Sequence, residues 1–146
     1  MTVESDLLTG IAQFLNDEGL AVYKPAGGYL ATDVAVVFGE LPTAPDTAVG
    51  LTIYGSSDEV KQNLSRYRMQ IWTRGAANNS LGASAIASPI FDALQGREEF
   101  WLGSVYVIQT FRASFVPMGI DANKRYERSD NYVFDVNTPA TSGRPE

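Results

Sequence analysis

The chain has 146 residues, a net charge of −6, 45% hydrophobic residues and 19% charged residues. These values are typical of a single globular domain and not of a disordered or fibrous chain. The chain contains no cysteine and no histidine, which excludes disulfides, thiolate metal sites, a cysteine nucleophile and any catalytic triad that uses histidine.

The charge is distributed unevenly along the sequence. Residues 1–60 carry nine acidic residues and one lysine, for a charge of −8, whereas residues 61–146 carry ten basic and eight acidic residues, for +2. A sequence-specific DNA-binding protein normally has a basic face, so the composition disfavours that role. Ordinary solvated surfaces are the first interpretation of this asymmetry, and head-to-tail contacts between identical copies are the alternative.

Two features bear on location. The N-terminal segment lacks the basic and apolar regions of a signal peptide. The longest uncharged run, residues 75–91, is too polar to span a bilayer. We therefore expect a soluble protein that is made in a cytoplasm and does not bind a membrane.

The first third of the chain predicts one helix and several short strands. Apolar side chains at helical spacing indicate an amphipathic helix over residues 3–17, with Ser5 as its N-cap. A loop with two prolines is expected at residues 39–46. The apolar runs predict strands at residues 20–24, 34–38 and 48–54.

A strand with one charged face is predicted over residues 65–73. Tyr67, Met69 and Ile71 alternate with polar positions, so they should face the core. The opposite side carries an exposed row that we take as a candidate subunit interface: Arg66, Arg68, Trp72 and Arg74. A solvated sheet face and a contact with a phosphate backbone are the alternatives.

The second half predicts a helix and a hairpin. The helix should begin at Asn79 or Ser80 and end at Gln95, with an apolar stripe that includes Leu81. The hairpin should turn at residues 103–104 and join strands at residues 100–102 and 105–116, with Val105, Val107, Phe111 and Phe115 on one face. A final strand is predicted at residues 132–136, after a charged run at residues 124–130.

Together these elements predict an α+β fold: one mostly antiparallel twisted sheet with two helices packed on one face. Residues 1–137 should form the single domain, and residues 138–146 a flexible C-terminal tail.

Motifs for catalysis and for cofactor binding are missing from the sequence. There is no nucleophile elbow, phosphate-binding loop or dinucleotide fingerprint. Asp121 and Asn123 have the spacing of the first calcium ligands, but Arg125 stands where the third ligand should be. We expect a structural turn made by Pro117, Gly119, Asp121 and Asn123. The protein is therefore predicted not to be an enzyme, with no catalytic residue, no metal and no cofactor.

The segment from Pro117 to Val136 resembles a family of proteins of long-tailed bacteriophages described as tail terminator or minor capsid proteins. The likeness covers roughly residues 5–137. It includes a late strand with Arg112 and a turn after the second helix, Ala93 to Gly96. The residues that carry it are Pro117, Gly119, Ile120, Asp121, Asn123, Arg125, Glu127, Ser129, Asn131 and Tyr132.

The resemblance implies a structural virion protein of the tail or neck, assembled in the cytoplasm of a host bacterium. Such a protein forms a homo-oligomer, expected to be a hexameric ring, on the phage tail tube protein. It stops tube polymerisation and joins the head–tail connector proteins, while DNA passes non-specifically through the ring lumen. Another neck protein, for head closure or tail completion, and a small ligand-binding module are the alternatives. Arg125, Glu127 and Arg128 are further candidate interface residues.

Overall fold

A computed structural model of the chain describes residues 2–145. In that part of the chain the regular elements are α1 (Val3–Asp17), β1 (Ala35–Phe38), β2 (Ala48–Asp58), β3 (Leu64–Ala77), α2 (Gly82–Leu94), β4 (Glu98–Leu102), β5 (Val105–Ile120) and β6 (Arg125–Asn137).

The six strands form one sheet in the order β1-β2-β3-β6-β5-β4, curled into a half-barrel. The predicted α+β fold is confirmed, but the sheet is mixed and not mostly antiparallel, because β1 pairs parallel to β2. Ala35 lies opposite Ala48 and Phe38 lies opposite Leu51, so the proline-containing loop carries the chain back to the level of Ala35. Both strands therefore start at the same end.

Both helices pack on the same face of the sheet and share one core. Leu7, Ile11 and Leu15 of α1 and Ile90 and Leu94 of α2 are fully buried in a single cluster with the strands. Each such side chain contributes about 1.5–3 kcal/mol relative to an exposed one. The helix period over residues 3–17 therefore predicts α1 correctly.

The start of α1 differs from the expected one. Thr2, and not Ser5, is the N-cap: Ser5 N donates to Thr2 Oγ1 over 3.0 Å, and Thr2 N donates to Ser5 Oγ over 3.0 Å. In this capping box both residues satisfy a backbone N–H that has no partner within the helix.

The second helix packs closer to the sheet than its sequence suggests. A Cβ atom at Gly75 would lie 2.7 Å from the Cα of Gly82, so α2 meets β3 through small residues. Ala83 and Ala87 are buried, whereas Leu81, predicted to belong to the apolar stripe, is 72% exposed. Small side chains thus replace large ones at the contact with β3.

Three strand predictions are wrong. The strand expected at residues 20–24 is reduced to one bridge, Val22 to Ala35. β6 begins at Arg125 and not at residue 132, because most of the charged run pairs with both of its neighbours. Register shifts in β5 turn Phe111 and Phe115 to opposite faces: Phe111 lies opposite Val133 and Phe115 opposite Asp130.

The segment after β6 contacts the hairpin between β2 and β3. Thr138 N donates to the carbonyl of Asn63 over 2.8 Å. Arg144 Nη1 donates to the carbonyls of Glu59 and Gln62 over 3.1 and 3.0 Å. The predicted tail therefore lies along residues 59–63 of this hairpin.

Asp6 ties α1 to the turn between β4 and β5. Asp6 is 3% exposed, and its carboxylate accepts hydrogen bonds from the backbone N–H and the hydroxyl of Ser104. A side chain at Gly103, whose φ is +60°, would meet the carboxylate carbon at 2.6 Å. The hydrogen bonds from Ser104 lower the pKa of Asp6.

This contact predicts a pH-dependent contribution to stability. A carboxylate whose folded-state pKa is depressed stabilises the protein above its unfolded-state pKa, and the contribution is lost as the pH falls. Asp6→Asn should therefore lower the unfolding midpoint at pH 7, and the difference from wild type should shrink below about pH 4. Urea titrations of both proteins, from pH 7 to below about pH 4, measure this difference in unfolding midpoint. A difference that stays constant with pH would show that the ionised carboxylate of Asp6 contributes nothing to stability.

Candidate subunit interface

The sheet has one face that neither helix covers, which we call the open face. Because Tyr67, Met69 and Ile71 point into the core, the alternate side chains of β3 point to the other side. They include Arg66, Arg68 and Trp72, so the open face is polar. This face is where the predicted interface row begins.

Arg66 is accessible, but its charge is already paired. Its Nε and Nη2 atoms donate to the two carboxylate oxygens of Asp135 over 2.7 and 3.1 Å. Gln109 Nε2 donates to the same carboxylate over 2.8 Å, and the guanidinium lies 5.6 Å from the Phe111 ring centre. The pair raises the pKa of Arg66 and lowers the pKa of Asp135.

Arg68 and Trp72 occupy the middle of the open face. Arg68 donates to the hydroxyl of Ser57 over 3.3 Å, and it takes part in none of the ion pairs found among residues 2–145. Trp72 Nε1 donates to Glu127 Oε1 over 2.6 Å, which ties β3 to β6. Arg68 is therefore the cation in this row with the most freedom to meet a partner.

Arg74 is buried, contrary to its predicted exposure. It is 4% exposed and donates to the carbonyl oxygens of Pro42, Pro45 and Asp46 over 2.6, 2.7 and 2.7 Å. A guanidinium carries five N–H donors, so one side chain satisfies three loop carbonyls that have no strand partner. Burial, with the nearby Arg125, lowers the pKa of Arg74.

Arg125 holds the same loop from its other side and is also 4% exposed. It donates to the Thr43 carbonyl over 2.7 Å and pairs with Asp46 over 3.1 Å and Asp121 over 2.8 Å. Arg74 and Arg125 therefore fix the shape of the loop at residues 39–46. Their contacts within the chain leave no exposed cation for a neighbouring subunit.

Arg128 lies on the helix side of the sheet in a second cluster. It contacts Asp130 with two hydrogen bonds of 2.7 and 2.9 Å, and Arg112 reaches the same carboxylate over 3.1 Å. The Phe115 ring lies 4.5 and 4.2 Å from the two guanidinium groups. The hydrogen bonds to Asp130 raise the pKa of Arg128. Arg128 is thus 8% exposed and internally paired.

The four predicted turn residues separate into two sites. Asp121 makes the tip of the β5–β6 hairpin: its Oδ1 accepts from Asn123 N and Arg125 N, each over 2.9 Å. Pro117 and Gly119 lie earlier, within β5, on either side of a register shift. Gly119 has a φ of +84°, a conformation that favours glycine.

The second half of β5 forms an exposed arm that the sequence analysis did not single out. β4 pairs with β5 only as far as Gln109, and every residue from 113 to 120 is exposed. This segment, the β5 arm, has a side without a partner strand among the described residues. Its large apolar side chains are 44–49% exposed: Phe115, Val116, Met118 and Ile120. The apolar run at residues 115–120 is the feature of the sequence that could have identified this arm.

The described residues contain neither a candidate metal cluster nor a helix able to span a membrane. Residues 2–145 contain no group of three or more acidic side chains placed to hold a metal ion. Neither helix in this part of the chain is long and apolar enough to cross a membrane.

Comparison with known proteins agrees with this architecture. A chain from the structure described as "Virion of native gene transfer agent (GTA) particle" shares the fold at a TM-score of 0.53 and 13% identity, covering 69% of this chain and 77% of that chain. The comparison with curated proteins finds no match. The model of a family described as "Bacteriophage tail terminator protein" matches residues 14–138. The resemblance seen in the sequence is confirmed: the protein belongs to the bacteriophage tail terminator family.

Proposed function

We propose that this protein assembles into a ring that caps the phage tail tube, ends its polymerisation and forms the surface that joins the tail to the capsid connector. The family match over residues 14–138 carries the proposal. It indicates a phage structural protein, and the fold shared with a chain of a virion particle agrees with that role.

The surface of the chain supports assembly with other copies. Clusters of exposed apolar side chains mark interaction sites in soluble proteins, and the short β5 arm carries four large ones. The proposed form is a hexamer of the domain built from residues 1–137. The ring belongs to the tail or neck of the virion and is assembled in the host cytoplasm without a cofactor.

The charge of the chain supports non-specific passage of DNA through the ring. The net charge is −6, and acidic walls repel phosphates. Asp6, Asp33 and Asp46 accept hydrogen bonds within the chain. Asp17 and Asp58 also accept side-chain hydrogen bonds, and Glu18 pairs with Arg97. The repelling groups are therefore among the three remaining acids of residues 1–60, which are Glu4, Glu40 and Glu59.

The proposed capping role predicts what happens when the protein is added to growing tail tubes. The protein, added to polymerising tail tube protein, should stop elongation and leave tubes with a ring at one end in negative-stain images. Capped tubes should then join DNA-filled heads. Tubes that grow as long as those without the protein would contradict the proposal. Binding to heads alone would assign the protein to head closure instead.

Substitution of the accessible arginines should weaken assembly and leave the stability of the fold nearly unchanged. Arg66→Glu and Arg68→Glu should each weaken ring formation, because both reverse a charge on the open face. The Arg68 change should alter the free energy of unfolding by about 0.5 kcal/mol or less, and the Arg66 change by about 1 kcal/mol, since it also removes a surface ion pair. Light scattering and urea titration measure the two quantities.

Lys61→Glu is the matched control for both changes. Lys61 is exposed at the tip of the β2–β3 hairpin, so the same charge reversal there should leave ring formation unchanged. Rings that form equally well in all three variants would remove Arg66 and Arg68 from the interface.

A further inference from the structure

We propose that the ring closes head to tail, with the β5 arm of one copy docked by its side chains in a groove at the opposite sheet edge of the next copy. This assignment rests on the proposed ring and names two surfaces that contribute to its interface.

The β5 arm is suited to insertion. It extends past β4 as one half of a hairpin, and its other side is held by β6 through residue 120. Residues 113–120 carry no charged side chain, so docking desolvates no charge of the arm itself. Phe115 is backed by the guanidinium groups of Arg112 and Arg128, which fix its position before contact.

The arm docks through side chains and does not add a strand to another sheet. Pro117 has no backbone N–H to donate, and register shifts lie between Arg112 and Ser114 and between Pro117 and Gly119. Prolines and bulges of this kind protect an edge strand from open-ended sheet extension. The side chains, in contrast, remain available to a shaped apolar surface.

Such a surface lies at the far edge of the sheet. An open groove of about 440 Å³ runs beside β2, bounded by α1 and the end of β1. Its apolar lining is Leu8, Phe38, Leu51, Ile53 and Tyr67. β1 pairs with β2 only as far as Leu51, so β2 from Thr52 onward has an uncovered edge among the described residues. Phe38 is 44% exposed there.

The occupant that fits this groove is a second copy of the chain. The strand order places the groove near β1 and β2 and the arm on β5, across β3 and β6. One copy therefore offers both halves of the contact on opposite edges. Different patches meeting head to tail generate a ring if the rotation closes. If the β5 arms of two copies bound each other, the copies would form a two-fold dimer and assembly would end there.

The charges near the two surfaces are complementary. Glu4 lines the groove, and Asp58 and Glu59 follow the groove residue Ser56 at the end of β2. The tip of the hairpin that carries the arm has Lys124, with a φ of +63°, and the carboxylate of Asp121 at the same tip is paired with Arg125 over 2.8 Å. Opposite charges beside two apolar surfaces orient their encounter. They favour an arm in a groove over an arm against another arm.

Cross-linking tests this contact directly, because the chain has no cysteine of its own. The double variant Ser56→Cys with Met118→Cys places one thiol at the groove and one on the arm, both at exposed positions. A short bismaleimide should link it into a ladder of products that extends beyond the dimer. Neither single variant should be cross-linked, because a thiol in the groove would face an arm without a thiol, and a thiol on the arm would face a groove without a thiol.

The matched control is Ser56→Cys with Ile108→Cys. Ile108 lies in the same strand, outside the arm, and is 39% exposed, so this variant should give no ladder. Unfolding midpoints close to that of wild type establish that all variants are folded.

The possible outcomes separate the two proposals. Rings by light scattering without a ladder in the double variant would overturn the arm-to-groove contact and leave the ring standing. Dimers from Met118→Cys alone would replace it with an arm-to-arm contact. A protein that forms neither rings nor ladders, even on tail tubes, would overturn both.

Discussion

The insertion of β6 between β3 and β5 is the constraint on which the rest of the structure depends. β6 forms ladders with both neighbours along nearly its whole length. It buries Tyr132, Phe134 and Val136 beneath the helices. The same strand brings Arg125 to the proline-containing loop and sets Asp135 beside Arg66. Because β6 supports β5, it also projects the β5 arm beyond β4. Core, loop and candidate interface therefore share one strand.

Local patterns in the sequence predicted the elements that depend on local physics. The helical spacing at residues 3–17 and the alternation at residues 65–73 each reflect one buried face, so α1 and the centre of β3 follow from them. The parallel pairing of β1 and the register shifts in β5 could not be predicted this way. Both depend on where distant segments meet, and neither changes the residue pattern within a strand.

The candidate site was predicted only in part because arginine looks the same in sequence whether it is exposed or buried. Arg66 and Arg68 are accessible on the open face, whereas Arg74 and Arg125 turn to loop carbonyls and Arg128 to Asp130. Those carbonyls belong to residues 28 to 82 positions away along the chain. The family was still recognisable, since its turn and final strand are contiguous in sequence.

The ion pair between Arg66 and Asp135 has a consequence for how the open face meets a polyanion. Tight phosphate binding gains free energy from the counterions that each neutralising cation releases. A guanidinium already neutralised by its own carboxylate releases few, and a phosphate would have to displace Asp135 first. Arg68 keeps an unpaired charge on the same face, but nucleic acid that passes beside Arg66 would be bound only weakly there. Binding at Arg66 would also depend little on the salt concentration.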